Sequence, residues 1–121
     1  MLPEVTAWLA AAADVTAIVG TRIYRRGFAP QGTVESGNPY VTWFVVDAPP
    51  ENTLSERPGI ARATVQVDCW SKDDRESVRL AEAVRNALET HGHQTGQPVD
   101  GRDPETKKWR FALQFDFWVK R

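Results

Sequence analysis

Cysteine is nearly absent from this chain: Cys69 is the only one among 121 residues. No disulfide can close within it, and a reducing cytoplasm is the expected setting. Long apolar runs are missing too. No stretch reaches the ~20 residues that cross a bilayer, so no membrane partner is expected. The opening Met-Leu-Pro-Glu has neither the basic region nor the apolar stretch of a secretory signal. Charge of one sign is not in surplus, the formal net charge being −1. Domains built to read nucleic acid usually carry a strong basic excess, so no specific nucleic-acid partner is expected. Arg25 and Arg26 form a basic spot too small to argue otherwise. There is no glycine-rich phosphate loop, no zinc pattern and no serine elbow. No repeat, linker or second domain breaks the chain.

What is present is aromatic and alternating. The chain is 41% hydrophobic, enough for one domain with a real core, and holds five tryptophans. The decisive stretch is residues 109–119. Trp109, Phe111, Leu113, Phe115, Phe117 and Val119 fall on one side, and Arg110, Ala112, Gln114, Asp116 and Trp118 on the other. Successive strand side chains point to opposite faces, so the pattern predicts a half-buried strand. Eleven residues span roughly 36 Å at ~3.3 Å each, about twice a typical strand. Such a strand is expected to be the spine of a sheet.

The rest arranges itself around that spine. Pro3 and Glu4 suit a helix start, and Val5, Trp8, Leu9 and Ala12 recur at helical spacing over residues 3–13. Asp14 reads as an N-cap for a further turn over 15–19, which Gly20 ends. Residues 21–24 make a short strand, 25–38 a loop and 40–47 a strand rich in β-branched and aromatic residues. Residues 48–59 form a polar loop with Pro49, Pro50 and Pro58, of a length that is often functional or mobile. Residues 60–70 alternate again, with Ala61, Ala63, Val65, Val67 and Cys69 on one face. The 40–47 and 60–70 strands are expected to pair antiparallel. Ser71 or Asp73 caps a helix with the apolar stripe Leu80, Ala81, Val84, Ala87 and Leu88, and Gly92 ends it. The opposite side of that helix carries Lys72, Arg75, Glu76, Arg79, Glu82, Arg85 and Glu89 and reads as a solvated face. Residues 93–99 hold a short strand and 100–108 a polar turn. The predicted fold is α+β: one antiparallel sheet with helices mainly on one face, in the order α-β-β-β-α-β-β.

Candidate chemistry is thin. His91 and His93 lie close, but a metal needs three or four ligands in a defined geometry, and two exposed histidines at a helix end suffice to explain them. Cys69 sits on an apolar strand face and reads as buried filler rather than a nucleophile. Asp100, Asp103 and Glu105 lie in a Gly/Pro turn, where aspartate is common for backbone reasons. No catalytic residue and no cofactor are expected. The anomaly is the second face of the sheet. Thr42, Gln66, Gln114 and Asp116 make it wet, yet Phe44, Trp70 and Trp118 share it. Either the N-terminal helix with Trp8 covers these aromatics, or another subunit does. The sequence leaves both open. The candidate interface residues are thus Trp118 and Trp70 on the sheet, Glu51, Glu56 and Arg57 in the long loop, and the basic spot Arg25 and Arg26.

Several stretches taken in order resemble one family. They are Val15-Thr16-Ala17-Ile18-Val19-Gly20-Thr21-Arg22-Ile23-Tyr24, Ala29-Pro30-Gln31-Gly32, Pro39-Tyr40-Val41, and residues 59–70, Gly-Ile-Ala-Arg-Ala-Thr-Val-Gln-Val-Asp-Cys-Trp. The helix Leu80-Ala81-Glu82-Ala83-Val84-Arg85 and the closing Asp116-Phe117-Trp118-Val119 complete the set. Their order and spacing resemble the tail-completion proteins of long-tailed bacteriophages and prophages, related to tail terminators. A longer insert at residues 33–38 departs from the usual pattern. The resemblance implies a single-domain virion subunit, assembled in the host bacterial cytoplasm, that forms a ring, typically a hexamer, on the head-proximal end of the tail. Its implied partners are further copies of itself, the tail tube protein and the head–tail connector or stopper, with DNA passing through the ring. The family has no catalytic residues to transfer. The residues alone also fit a cytoplasmic protein–protein adaptor, and an enzyme is a third, weaker reading.

Overall fold

The two alternating stretches find each other. In the structure, a computed structural model that describes residues 2–47 and 61–119, they form the central pair of a sheet. Among the described residues the elements are α1 (Val5–Ala10), α2 (Ala13–Val19), β1 (Ile23–Arg25), α3 (Gln31–Ser36), β2 (Tyr40–Asp47), β3 (Ala61–Ser71), α4 (Asp74–Leu88), β4 (Gly92–Arg102) and β5 (Trp109–Val119). The strands lie in the order β1-β2-β3-β5-β4. β3 and β5 run antiparallel in unbroken register from Ala61↔Val119 to Ser71↔Trp109. Val65 therefore faces Phe115, Val67 faces Leu113 and Cys69 faces Phe111. One apolar face results, and α1, α2 and α4 close over it.

The core follows from the helical stripes. Val5 and Leu9 of α1, Val15 and Val19 of α2, and Leu80, Val84 and Leu88 of α4 are all fully buried against Val65, Val67, Leu113, Phe115 and Phe117. Asp73 caps α4, its side chain accepting from the backbone N–H of Arg75 at 3.2 Å. Ser71 works beside it, its hydroxyl donating to Glu76 Oε1 at 2.7 Å. The expected α+β fold, one sheet with helices mainly on one face, is what forms.

Five details differ from what the sequence predicts. β1 pairs with β2 in parallel, through Ile23↔Val41 and Arg25↔Trp43, so the sheet is mixed. A parallel neighbour needs a crossover connection of about a dozen residues or more, commonly holding a helix. The segment after β1 supplies one, α3, where a loop was expected. Asp14 lies in the first turn of α2 rather than capping it, the N-cap being Ala12. Gly92 does not end a helix. α4 stops at Leu88, and Gly92 opens β4, which runs eleven residues rather than the seven of 93–99. A side chain at Gly92 would meet the Asp116 carbonyl oxygen and the Phe117 ring. The long loop expected over residues 48–59 lies outside the described residues.

Two substitutions test this packing. Phe115 is 0% exposed in the centre of the cluster. Phe115→Ala is expected to cost roughly 3–5 kcal/mol in denaturant unfolding, as large-to-small core changes do. Gly92→Ala forces β4 away from β5 and is expected to cost about 1–3 kcal/mol, the usual range for overpacking. A neutral result for either places the β4–β5 register or the core elsewhere.

Candidate assembly surface

The register that buries one face of the sheet fixes the other row by row. Tyr40, Trp70, Arg110 and Gly101 form the first row, and Thr42, Asp68, Ala112 and Val99 the next. Phe44, Gln66, Gln114 and Thr95 follow, then Thr64, Asp116 and His93, and finally Arg62 beside Trp118. Trp8 does not cover them. It packs on the opposite side, stacked on His91 at 4.1 Å between centroids and against Phe117 at 5.1 Å. Among the described helices only α3 reaches toward this face, through the Tyr24–Thr33 hydroxyl contact of 2.9 Å and the Val34 carbonyl that accepts from Lys108 Nζ at 2.6 Å.

The polar groups of the open face satisfy one another. Trp70 Nε1 donates to Thr42 Oγ1 at 3.0 Å, and Gln66 Nε2 to Asp68 Oδ1 at 2.9 Å. Thr64 Oγ1 donates to Asp116 Oδ1 at 2.7 Å, while Arg62 stands 3.8 Å from the other carboxylate oxygen. Arg110 lies 4.0 Å from Asp68 and over the Trp70 ring. Tyr40 stacks on Trp70, and Lys108 sits above Tyr40 at 5.0 Å. Burial pushes the Tyr40 hydroxyl up, with Asp103 adding to the shift. Burial, then Lys72, pulls the Lys108 ammonium down.

The candidate residues do not gather into one patch. Trp70 and Trp118 stand opposite Arg110 and Arg62, eight residues apart along β5, which is about 26 Å at ~3.3 Å per residue. Trp70 is half-buried in its stack, whereas Trp118 is 62% exposed. Arg25 ends β1 on the helix side of the sheet, its guanidinium over the Trp43 ring, and Arg26 follows in a left-handed turn at φ 76°. Glu51, Glu56 and Arg57 lie outside the described residues. The sequence reading did not single out Asp68, a 4% exposed carboxylate on the wet face, or Phe28, 74% exposed beside Arg26. Their only signal was an acid between valine and cysteine and an aromatic inside a Gly/Pro loop.

No enzymatic arrangement emerges among the described residues. Cys69 is fully buried, and burial drives its thiol far up, away from nucleophilic range. No three His, Cys, Asp or Glu side chains among them converge to hold a metal. No described helix is long and apolar enough to cross a membrane.

A family model described as tail completion protein gp17 matches residues 3–120. The chain belongs to that family. It is a structural tail-completion protein of phage type, and its place is the virion. No curated protein matches it. Among solved structures, a chain from the virion of a native gene transfer agent particle shares the fold, with a TM-score of 0.68 at 21% identity. The match covers 97% of this chain and 92% of that one.

Asp68 gives this tail-completion protein a pH signature. Burial raises its pKa above 3.8, outweighing the Gln66 hydrogen bond and the Arg110 charge, which lower it. The native state thus holds the proton to higher pH than the unfolded chain. The stability from this site is full below 3.8 and is lost as pH rises through the native value. Asp68→Asn keeps an acceptor for Gln66 but removes the titration. Compared with wild type, its unfolding free energy is expected to fall less as pH rises from 3.8 toward neutrality. Parallel curves for the two proteins show that Asp68 is not desolvated.

Proposed function

We infer that this protein acts as a ring of identical subunits, six by its family resemblance, at the head-proximal end of the tail tube. The ring ends tube polymerisation and presents a surface to the head connector, while DNA passes through it. The observation that carries the assembly reading is the open sheet face. Its first rows are buried under their own polar network beside α3, its polar groups satisfy one another, and its far end carries an exposed Trp118 beside Arg62, away from α1, α2 and α4. Large aromatics flanked by a polar, arginine-bearing rim are the usual anchors of protein contacts. Family membership says what kind of particle the contact serves. The two arguments are independent, one physical and one of descent.

Trp118→Ala separates assembly from folding. At 62% exposure the ring contributes little to the isolated subunit, and such surface changes usually stay within about 0.5 kcal/mol. Loss of an interface anchor costs about 2 kcal/mol or more. The variant is therefore expected to unfold with wild type yet fail to complement a deletion. Particles made with it should have tails of uncontrolled length, or heads and tails left unjoined. Normal virions refute the interface role of Trp118, and an unfolded subunit assigns it to the core instead.

A further inference from the structure

The two edges of the sheet are unlike, and they fit each other. At the β4 edge the ladder is interrupted: Thr95 pairs with Gln114 and Val99 with Ala112, so Gly96, Gln97 and Pro98 stand opposite the single residue Leu113. Where β4 bulges, the core is left open between it and α4. The groove there has an apolar floor of Phe111, Leu113, Val78 and Ala81, with Gln94 and Pro98 along one wall. Its volume is about 150 Å³. A cavity of roughly that size, lined by apolar side chains, accepts one benzene ring. Glu82 and Arg85 stand on the rim. Arg85 leans to Glu89 at 4.0 Å, whereas Glu82 has no ion pair among the described residues. Asp100 faces Phe111 from β4 and adds a second carboxylate on the same side.

At the opposite edge, the turn after β1 holds up Phe28, the most exposed large hydrophobic side chain among the described residues at 74%. Arg25 and Arg26 precede it, both exposed. The turn is anchored by Gly27, whose N–H donates to the Trp43 carbonyl at 3.1 Å. Gly27 has φ 83°, and a Cβ there would press on the Phe44 ring at 3.2 Å. The knob is thus one phenyl ring with two cations, and the socket is one phenyl-sized groove with Glu82 and Arg85 on its rim, Arg85 leaning to Glu89, and Asp100 two residues beyond Pro98 on the same strand. They cannot meet within one subunit, because β1 and β4 are the two outer strands. Four strand spacings of ~4.8 Å put those edges about 19 Å apart.

We propose that Phe28 of one copy docks in the α4–β4 groove of the next, with Arg25 and Arg26 set against Glu82 and Asp100. The inference rests on the ring reading above and adds a copy-to-copy contact at the sheet edges, separate from the open face that carries Trp118. Different patches meeting head to tail make a heterologous contact, the kind that generates rings.

Thiol pairing in assembled tails tests it. Cys69 is fully buried, so introduced thiols react without competition from it. Particles carrying Ala29→Cys together with Gln94→Cys are expected, after mild oxidation, to give a ladder of covalent oligomers on a non-reducing gel. Either change alone should give monomer only. Adding Phe28→Ala to the pair should cut the ladder at least tenfold, while thermal melting of the subunit stays at the wild-type value. A ladder from one single variant means a symmetric contact and overturns the proposal. Monomer from the pair, in particles that contain several copies of the protein, moves the contact elsewhere and leaves the ring reading standing. One copy per particle defeats both.

Discussion

The β3–β5 pairing is the constraint on which the molecule depends. Eleven consecutive pairs bring Ala61–Ser71 against Trp109–Val119 without a bulge. Side chains alternate with a period of two, so a slip of one residue would exchange the faces. If β3 slipped by one against β5, Val65 would point to water and Asp68 into the helices, while Phe115 stayed in the core without its partner. Burying an unpaired carboxylate there is costly. The register is therefore held from both sides, by what must be dry and by what must stay wet. Everything else, including which aromatics are left outside, is a consequence of that alignment.

The open face is not waiting for polar partners. Asp68 and Asp116 each have a neighbouring donor and a guanidinium within 4.0 Å. No buried side-chain nitrogen or oxygen among the described residues lacks a hydrogen-bond partner. A surface satisfied in this way can exist in the free subunit and in an assembly without rearranging. A contact there gains from aromatic area and from excluded water. It pays no penalty for breaking the face's own network. Asp68 is held at 4% exposure with its cation at the edge of contact range, and burial raises its pKa.

How far the sequence carried the fold depended on the strength of each local signal. The spine, its partner strand and α4 were legible because alternation or helical spacing ran uninterrupted over many residues. β4 was read short because Gly92 looked like a helix end and residues 100–108 like a polar turn, yet an outer strand tolerates glycine at both places. α3 was hidden by Gly32 in its first turn, and Gly37 ends it in the left-handed conformation at φ 77°. Gly92 carried the right weight for the wrong reason: it yields space to Phe117 rather than stopping a helix. The candidate surface was legible in composition but not in layout. Nothing local says that Trp70 and Trp118 stand at opposite ends of the face, since their separation is set by the register of other residues. Whether Trp8 covers those aromatics was open for the same reason, a helix carrying no mark of which sheet face it will meet.

The edges explain why copies should meet through side chains rather than through strands. An outer strand with free N–H and C=O groups invites another strand, and repeated pairing of that kind yields open-ended fibres. β1 has only three residues, too few to template a long partner. β4 is long, but Pro98 lacks an N–H, Gly96 sits at φ 66°, and the bulge between Thr95 and Val99 breaks the line of donors. Prolines and bulges are the devices by which outer strands refuse such pairing. The same bulge leaves a groove beside α4 with the half-buried Phe111 and the buried Leu113 at its floor. Blocking the ladder and opening the groove are thus one structural event. It removes a contact whose geometry would be set by a flat, extendable sheet. It leaves one whose angle is set by a rigid knob and socket, and a fixed angle between successive copies is what lets a chain of them close.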